Sequence, residues 1–209
     1  LSSSHTLNPF VNAGAIATTS MLWEKDNKKF WKRLYDNMNK FAGRKLKFSS
    51  KVYKSEAKSN QHNKALAYLL KSYKRFYGDV EDSVDVYTKQ GSLLVSSKDI
   101  ATMAGTLANK GINPVTKKRV INNSYVPYII GQMFGNGMYE YSDTWVIDVG
   151  IPAKSGVGGV IMAVVPGVMG IGVVSPPLDK AGNSFKGIKT LEKLSKQLNL
   201  SILTKPVCK

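Results

Sequence analysis

The chain is poor in the residues that most often mark metal and redox chemistry. It holds one cysteine, Cys208, and two histidines, His5 and His62, in 209 residues. A lone thiol cannot close an intrachain disulfide, which fits a reducing compartment, and the cytoplasm is the expected location. Neither histidine has a cysteine or histidine partner at metal-ligand spacing, so no metal site and no cofactor are expected. There are no internal repeats, and no linker separates domains. The longest uncharged apolar run, Val157 to Val174, is 18 residues and borders on a membrane span. Pro166-Gly167 divides it into two Val- and Ile-rich halves, which reads as two strands joined by a tight turn.

Acid is scarce as well. Fourteen Asp and Glu face thirty Lys and Arg, a formal net charge of +16. Such an excess can attract nucleic acid or an anionic membrane surface. Between Glu24 and Lys58 there are twelve basic and four acidic residues, half of the whole excess. These bases are interleaved with Phe30, Trp31, Leu34, Tyr35, Met38 and Phe41, the spacing of an amphipathic helix with a wet basic face. No nucleic-acid motif accompanies them, so a solvated face is expected, with neither nucleic acid nor membrane as a partner.

What is present is ordinary globular material, 43% hydrophobic and 21% charged. The first two-thirds reads as helix: Ala13 to Trp23, Lys28 to Phe41, Asn63 to Phe76, a short helix Ser83 to Lys89 capped by Ser83, one from Ser97 stopped at Gly111, and Asn122 to Met133. After Tyr139 the pattern changes. Thr144 to Val149, Val157 to Val165 and Met169 to Val174 read as three consecutive antiparallel strands. A last helix, about Ser184 to Leu198, carries Ile188, Leu191, Leu194 and Leu198 as its inner stripe. The expected architecture is an α/β fold of the α+β type: a helical lobe over about 8–139 against an antiparallel sheet and terminal helix over about 140–200, with a cleft between them.

The best candidate for chemistry is Lys154-Ser155-Gly156, placed just before the strand from Val157. In serine β-lactamases and penicillin-binding proteins, Lys-Ser-Gly or Lys-Thr-Gly opens an inner strand beside the nucleophile. The lysine supplies positive potential, the glycine admits substrate to the strand edge, and the next N–H can help form an oxyanion hole. By itself such a triplet is usually just a turn. The partner motif, Ser-x-x-Lys, occurs once, as Ser55-Glu56-Ala57-Lys58, in a polar setting that reads as accidental.

Six blocks then fall in one order. They are Asn8-Pro9-Phe10-Val11-Asn12-Ala13-Gly14-Ala15-Ile16; Ser55-Glu56 with Asn63-Lys64-Ala65-Leu66-Ala67; Met103 to Gly111; Gly137-Met138-Tyr139; Ile151 to Gly159; and Ser175-Pro176-Pro177-Leu178-Asp179-Lys180 with Gly182-Asn183-Ser184. Together they resemble the glutaminases over nearly the whole chain. The resemblance implies a β-lactamase-like serine hydrolase fold and hydrolysis of L-glutamine to L-glutamate and ammonia through an acyl-enzyme. It places the substrate residues on Asn12, Glu56, Asn63, Tyr87, Tyr139 and Val157. Lys154, Ser155, Tyr139 and Val157 then form the catalytic set.

Charge makes these roles intelligible. The ammonium of glutamine matches Glu56, and its α-carboxylate suits the neutral donors Asn12, Asn63 and a tyrosine hydroxyl. Val157 would act through its N–H, Tyr139 as a proton relay, and Tyr87 as pocket lining. L-glutamine and further copies of the chain are the expected partners.

In the family, a nucleophilic Ser-x-x-Lys and a substrate-binding tyrosine precede the Asn-Pro block. Seven residues precede Asn8 here, and neither element is among them. An upstream segment is therefore expected to supply the nucleophile, with the chain alone inactive. The alternatives are a non-catalytic glutamine-binding remnant or a basic nucleic-acid-binding module.

Overall fold

A computed structural model describes residues 8–204, which leaves the Ser-rich coil expected at Leu1–Leu7, and His5 and Cys208, outside the described residues. The chain forms two compact units. The first holds the described residues up to Asn39 and Lys45–Leu94; the second holds Lys40–Arg44 and the chain from Val95. The helical stretch expected over about 8–139 is thus shared between the two.

The first unit is built from α1 (Asn12–Ser20), α2 (Asn27–Ala42) as far as Asn39, α3 (Ser50–Lys58), α4 (Gln61–Ser72) and α5 (Val80–Gly91), with a short antiparallel pair, β1 (Lys47–Phe48) and β2 (Leu93–Leu94). The basic segment forms the amphipathic α2 as its spacing requires. Phe30 and Leu34 are buried against Val86, with Trp23, Trp31 and Met38 packed around them. Ile16, Ala67, Val80 and Val84 form a second core where α1, α4 and α5 meet. The cap of α5 is Asp79, which accepts from the Asp82 N–H; Ser83 lies inside the helix, fully buried, and donates to the Asp79 carbonyl. Asp79 stands at the extended position before the helix, and the Ser83 hydroxyl satisfies an i−4 carbonyl instead. The Ser55–Lys58 stretch lies on α3, a helix without buried residues. Its lack of an apolar stripe is why periodicity does not show it.

The second unit starts with α6 (Ser97–Ala108), closed by a capping box between Ser96 and Asp99. Arg44 donates from Nε and Nη2 to the two Asp99 carboxylate oxygens, each at 2.6 Å, and holds the buried Asp99 well below the usual carboxylate range. After a short 3-10 turn come α7 (Val126–Asn136), another turn at Tyr139–Tyr141, and α8 (Ser142–Asp148). The antiparallel sheet follows, in the order β3 (Ala153–Gly156), β4 (Val160–Val165), β5 (Met169–Val174), and α9 (Phe185–Leu198) closes the fold.

Close approach of α6 to β5 needs glycine: a Cβ on Gly170 would fall 2.0 Å from the Gly105 nitrogen. One core gathers Trp145, Val149, Ile151, Ala153, Ile161, Ala163, Val165, Ile188 and Leu191.

Three expectations fail here. Thr144–Val149 is not a strand. Ser142, Trp145 and Val149 are buried at intervals of three and four, so the β-rich composition serves one face of α8 and the short segment after it. The missing first strand is β3, which carries Lys154-Ser155-Gly156 within it rather than before it; Ser155 pairs with Ile161. Leu198 is 53% exposed and leaves the inner stripe of α9. The buried Ser195 takes that place and donates to the Val149 carbonyl at 2.6 Å.

Candidate functional site

In the first unit the structure joins three of the expected residues. Asn12 is the first residue of α1, Asn63 lies in the first turn of α4, and Tyr87 is on α5. The Asn12 side-chain N–H donates to Asn63 Oδ1 at 3.0 Å, and the Tyr87 hydroxyl donates to Asn12 Oδ1 at 3.5 Å. Neither α1 nor α4 has an acidic residue in its first turn, so both N-terminal ends keep their partial positive charge. Neutral donors beside two such ends suit an anion. Glu56 lies near the end of α3, exposed, and outside this hydrogen-bonded group. Among the described residues it makes no ion pair, although the chain is strongly basic.

In the second unit the remaining residues form a tighter group. Lys154 projects from β3 with Nζ 4.4 Å from the centre of the Tyr139 ring, and it also donates to the Ser155 carbonyl. Burial pushes the Lys154 ammonium down to about 8. Burial also raises the Tyr139 hydroxyl, with a further rise from the Glu140 charge. The Ser155 N–H donates to the Gly137 carbonyl at 2.9 Å, while its hydroxyl is buried with no partner among the described residues.

Val157, just past β3, is 71% exposed, and its N–H makes no hydrogen bond among the described residues. A methyl group on Gly182 would lie 3.5 Å from Val157 Cγ1 and 3.8 Å from Tyr139 Cε2, so Gly182 rests near both. Tyr139 has a φ of +54°, a left-handed backbone that costs a residue other than glycine about 1–3 kcal/mol.

Two more side chains meet the Tyr139 backbone. Ser142 accepts from the Met138 N–H at 3.0 Å and donates to the Tyr139 carbonyl at 2.8 Å. Asn183 donates to the Met138 carbonyl at 3.2 Å. Reading the sequence for chemistry passes over both. Asn183 stands in the block Gly182-Asn183-Ser184, and an Asp-x-x-Gly-Asn turn is a signal for an ordered loop, but its contact lies 45 residues away.

A set of helices with a three-stranded antiparallel sheet, its leading strand carrying Lys-Ser-Gly, places the chain in the β-lactamase-like fold class. A family model described as Glutaminase matches residues 1–203, and the chain belongs to the glutaminase family. The "Glutaminase" of Colwellia psychrerythraea (strain 34H / ATCC BAA-681) is 46% identical over 202 residues, covering 97% of this chain and 65% of that protein. A solved structure of a probable glutaminase, YbaS, is 45% identical with a TM-score of 0.93, covering 95% of this chain and 64% of that one. A third relative is the Bacillus subtilis glutaminase YbgJ, solved as the covalent complex with 5-oxo-L-norleucine formed by its reaction with 6-diazo-5-oxo-L-norleucine. It is 34% identical with a TM-score of 0.88, covering 92% of this chain and 68% of that one. The chain spans just under two-thirds of the length of the curated relatives it matches.

Proposed function

We propose that the chain supplies the glutamine-binding residues and part of the catalytic machinery of an enzyme that hydrolyses L-glutamine to L-glutamate and ammonia through a serine acyl-enzyme. The observation that carries this is the group on β3: a desolvated Lys154 against the Tyr139 ring, followed by a buried Ser155 hydroxyl without a partner among the described residues. A lysine lowered to about 8 exchanges protons near neutral pH, which a solvated lysine does not. Tyr139 relays the proton. The N–H of Val157, which makes no hydrogen bond among the described residues, offers a donor for the oxyanion of a tetrahedral intermediate. Asn12 and Asn63, with Tyr87 as pocket lining, take the α-carboxylate, and Glu56, which pairs with no cation among the described residues, takes the α-ammonium. The Bacillus subtilis relative adds support, because the compound that reacts with it keeps the amino-acid end of glutamine and puts an electrophilic diazoketone where the amide would be.

The nucleophile is supplied from outside these 209 residues. Ser55 is exposed on α3, and Ser155 stands in the strand-borne motif. Ammonia release from glutamine by the purified chain tests this, beside the same chain extended by its upstream coding sequence and beside Ser55→Ala and Ser155→Ala. The chain alone is expected to be inactive, and the extended protein active. Robust activity of the chain alone that Ser55→Ala abolishes would make Ser55 the nucleophile. An extended protein that binds glutamine without hydrolysing it would leave a binding protein in place of an enzyme.

A further inference from the structure

We propose that Asn183 and Ser142 are positioning residues that hold Tyr139 in its left-handed backbone and so fix its ring against Lys154. The inference rests on the reading of Tyr139 as a proton relay and adds to it what keeps that relay in place.

A left-handed backbone at a tyrosine persists only where the surroundings over-determine it. Here they do. The Met138 N–H, the Met138 carbonyl and the Tyr139 carbonyl are all bound by two side chains, Ser142 at 3.0 and 2.8 Å and Asn183 at 3.2 Å. Ser142 is 6% exposed and Asn183 is fully buried, so water does not compete for these bonds. The Asn183 Oδ1 is buried with no hydrogen-bond partner among the described residues. Burying an amide and leaving half of it unsatisfied is costly, and mere filling of the space would be served better by an apolar residue. Its donor end holds one carbonyl, that of the residue before Tyr139.

Asn183 is itself anchored. Asp179 accepts from the N–H groups of Ala181 and Asn183 at 2.9 and 2.8 Å, and the Asp179 N–H donates to the Asn183 carbonyl at 2.8 Å. The same loop sets Gly182, with a φ of +95°, against the Tyr139 ring edge and Val157. One short loop thus controls the backbone of Tyr139 and the space beside its ring. If Asn183 lets go, Tyr139 relaxes to an ordinary φ and its ring leaves Lys154. Proton transfer depends steeply on reach, so the loss falls on turnover.

The experiment compares Asn183→Leu, Ser142→Ala, Tyr139→Phe and the double variant Asn183→Leu/Tyr139→Phe in the form of the protein that turns glutamine over, with thermal denaturation in parallel. Asn183→Leu and Ser142→Ala are expected to lower kcat by about tenfold to a hundredfold. KM should move much less than kcat, because neither Asn183 nor Ser142 is assigned a substrate contact of its own. The double variant should be no slower than Tyr139→Phe alone, because Asn183 acts only through Tyr139. Ser142→Ala, the smaller change, carries the test if Asn183→Leu does not fold. Losses that simply multiply in the double variant would overturn the proposal, and so would an unchanged kcat in both single variants while Tyr139→Phe is impaired. Those results leave the relay reading intact. A Tyr139→Phe enzyme with full kcat sinks that reading, and this inference with it.

Discussion

The two units present their candidate residues in opposite states. In the first, Asn12, Asn63 and Tyr87 are exposed or half-buried and bonded to one another, and Glu56 is a solvated carboxylate. In the second, Lys154 and Tyr139 have their charged forms disfavoured by burial, and Ser155 is 1% exposed with a hydroxyl that has no partner among the described residues. Solvated polar groups exchange water for ligand at little cost, which suits recognition of a zwitterion. Desolvated groups have shifted proton affinities and are held ready, which suits bond-making. Binding and chemistry are therefore expected to separate along the chain, and substitutions in the two groups should change KM and kcat differently.

The largest effect is expected at Lys154. Lys154→Met keeps the length and apolar stem but removes the exchangeable proton, and kcat should fall by about a hundredfold to ten-thousandfold. The intact enzyme should show a rising limb of kcat near pH 8, where the Lys154 ammonium loses its proton. The substitution should change stability in the opposite sense to activity. The folded value is about 8 against an ordinary 10.5. Below pH 8 the native state carries a buried charge, and this penalty is fully present. Between 8 and 10.5 the unfolded chain binds more protons, so the penalty is relieved as pH rises. Lys154→Met should therefore raise the melting temperature at pH 7, with a gain that shrinks on approaching pH 10.5. A variant that is both active and no more stable would place Lys154 in solvent and erase the contrast between the units.

Glu56 gives the corresponding test in the first unit. Glu56→Gln removes a charge that pairs with no cation among the described residues, so folding should be indifferent to it. Binding of glutamine should weaken by about 1.5–3 kcal/mol, the scale of a hydrogen bond between charged groups. This would appear as a rise in KM of about tenfold to a hundredfold with little change in kcat. An unchanged KM removes Glu56 from the site and leaves recognition to the asparagines.

How much of this was legible in the sequence follows from how local each signal is. The amphipathic α2 is written in its own spacing, from Phe30 through Leu34 to Met38. The turn at Pro166-Gly167 likewise announces the β4–β5 hairpin. The β-rich Thr144–Val149 misleads because composition is a weaker signal than periodicity, and the burial of Trp145 and Val149 obeys a helical period. Lys154, Ser155 and Tyr139 are readable as motif letters, but the burial that lowers the lysine comes from tertiary packing and has no local trace. The Asn183–Met138 bond spans 45 residues, and the asparagine can be picked out only as one letter of a block. The capping of α5 by Asp79 rather than Ser83 is a four-residue shift, within the reach of ordinary cap chemistry, since both are good caps.

The smallest effect is expected at Tyr87, and it is the sharpest test of what kind of group the first unit forms. The Tyr87 hydroxyl reaches Asn12 Oδ1 at 3.5 Å, the outer limit of a hydrogen bond, and the rest of the ring packs on Ile16 and its neighbours. Tyr87→Phe keeps that packing and removes the long bond to Asn12. If Tyr87 only lines the pocket, the cost is about 0.5 kcal/mol or less, a rise in KM of about twofold with kcat intact. If instead its hydroxyl donates directly to the substrate carboxylate, the bond lost involves a charged acceptor, and KM should rise at least about tenfold. Asn12→Ala separates the two further. A lining tyrosine leaves the double variant Asn12→Ala/Tyr87→Phe as impaired as Asn12→Ala, since the hydroxyl no longer has an amide to orient. A tyrosine in direct contact adds its own loss to that of Asn12. The first result keeps substrate recognition on the two asparagines and Glu56. The second moves a share of it onto α5.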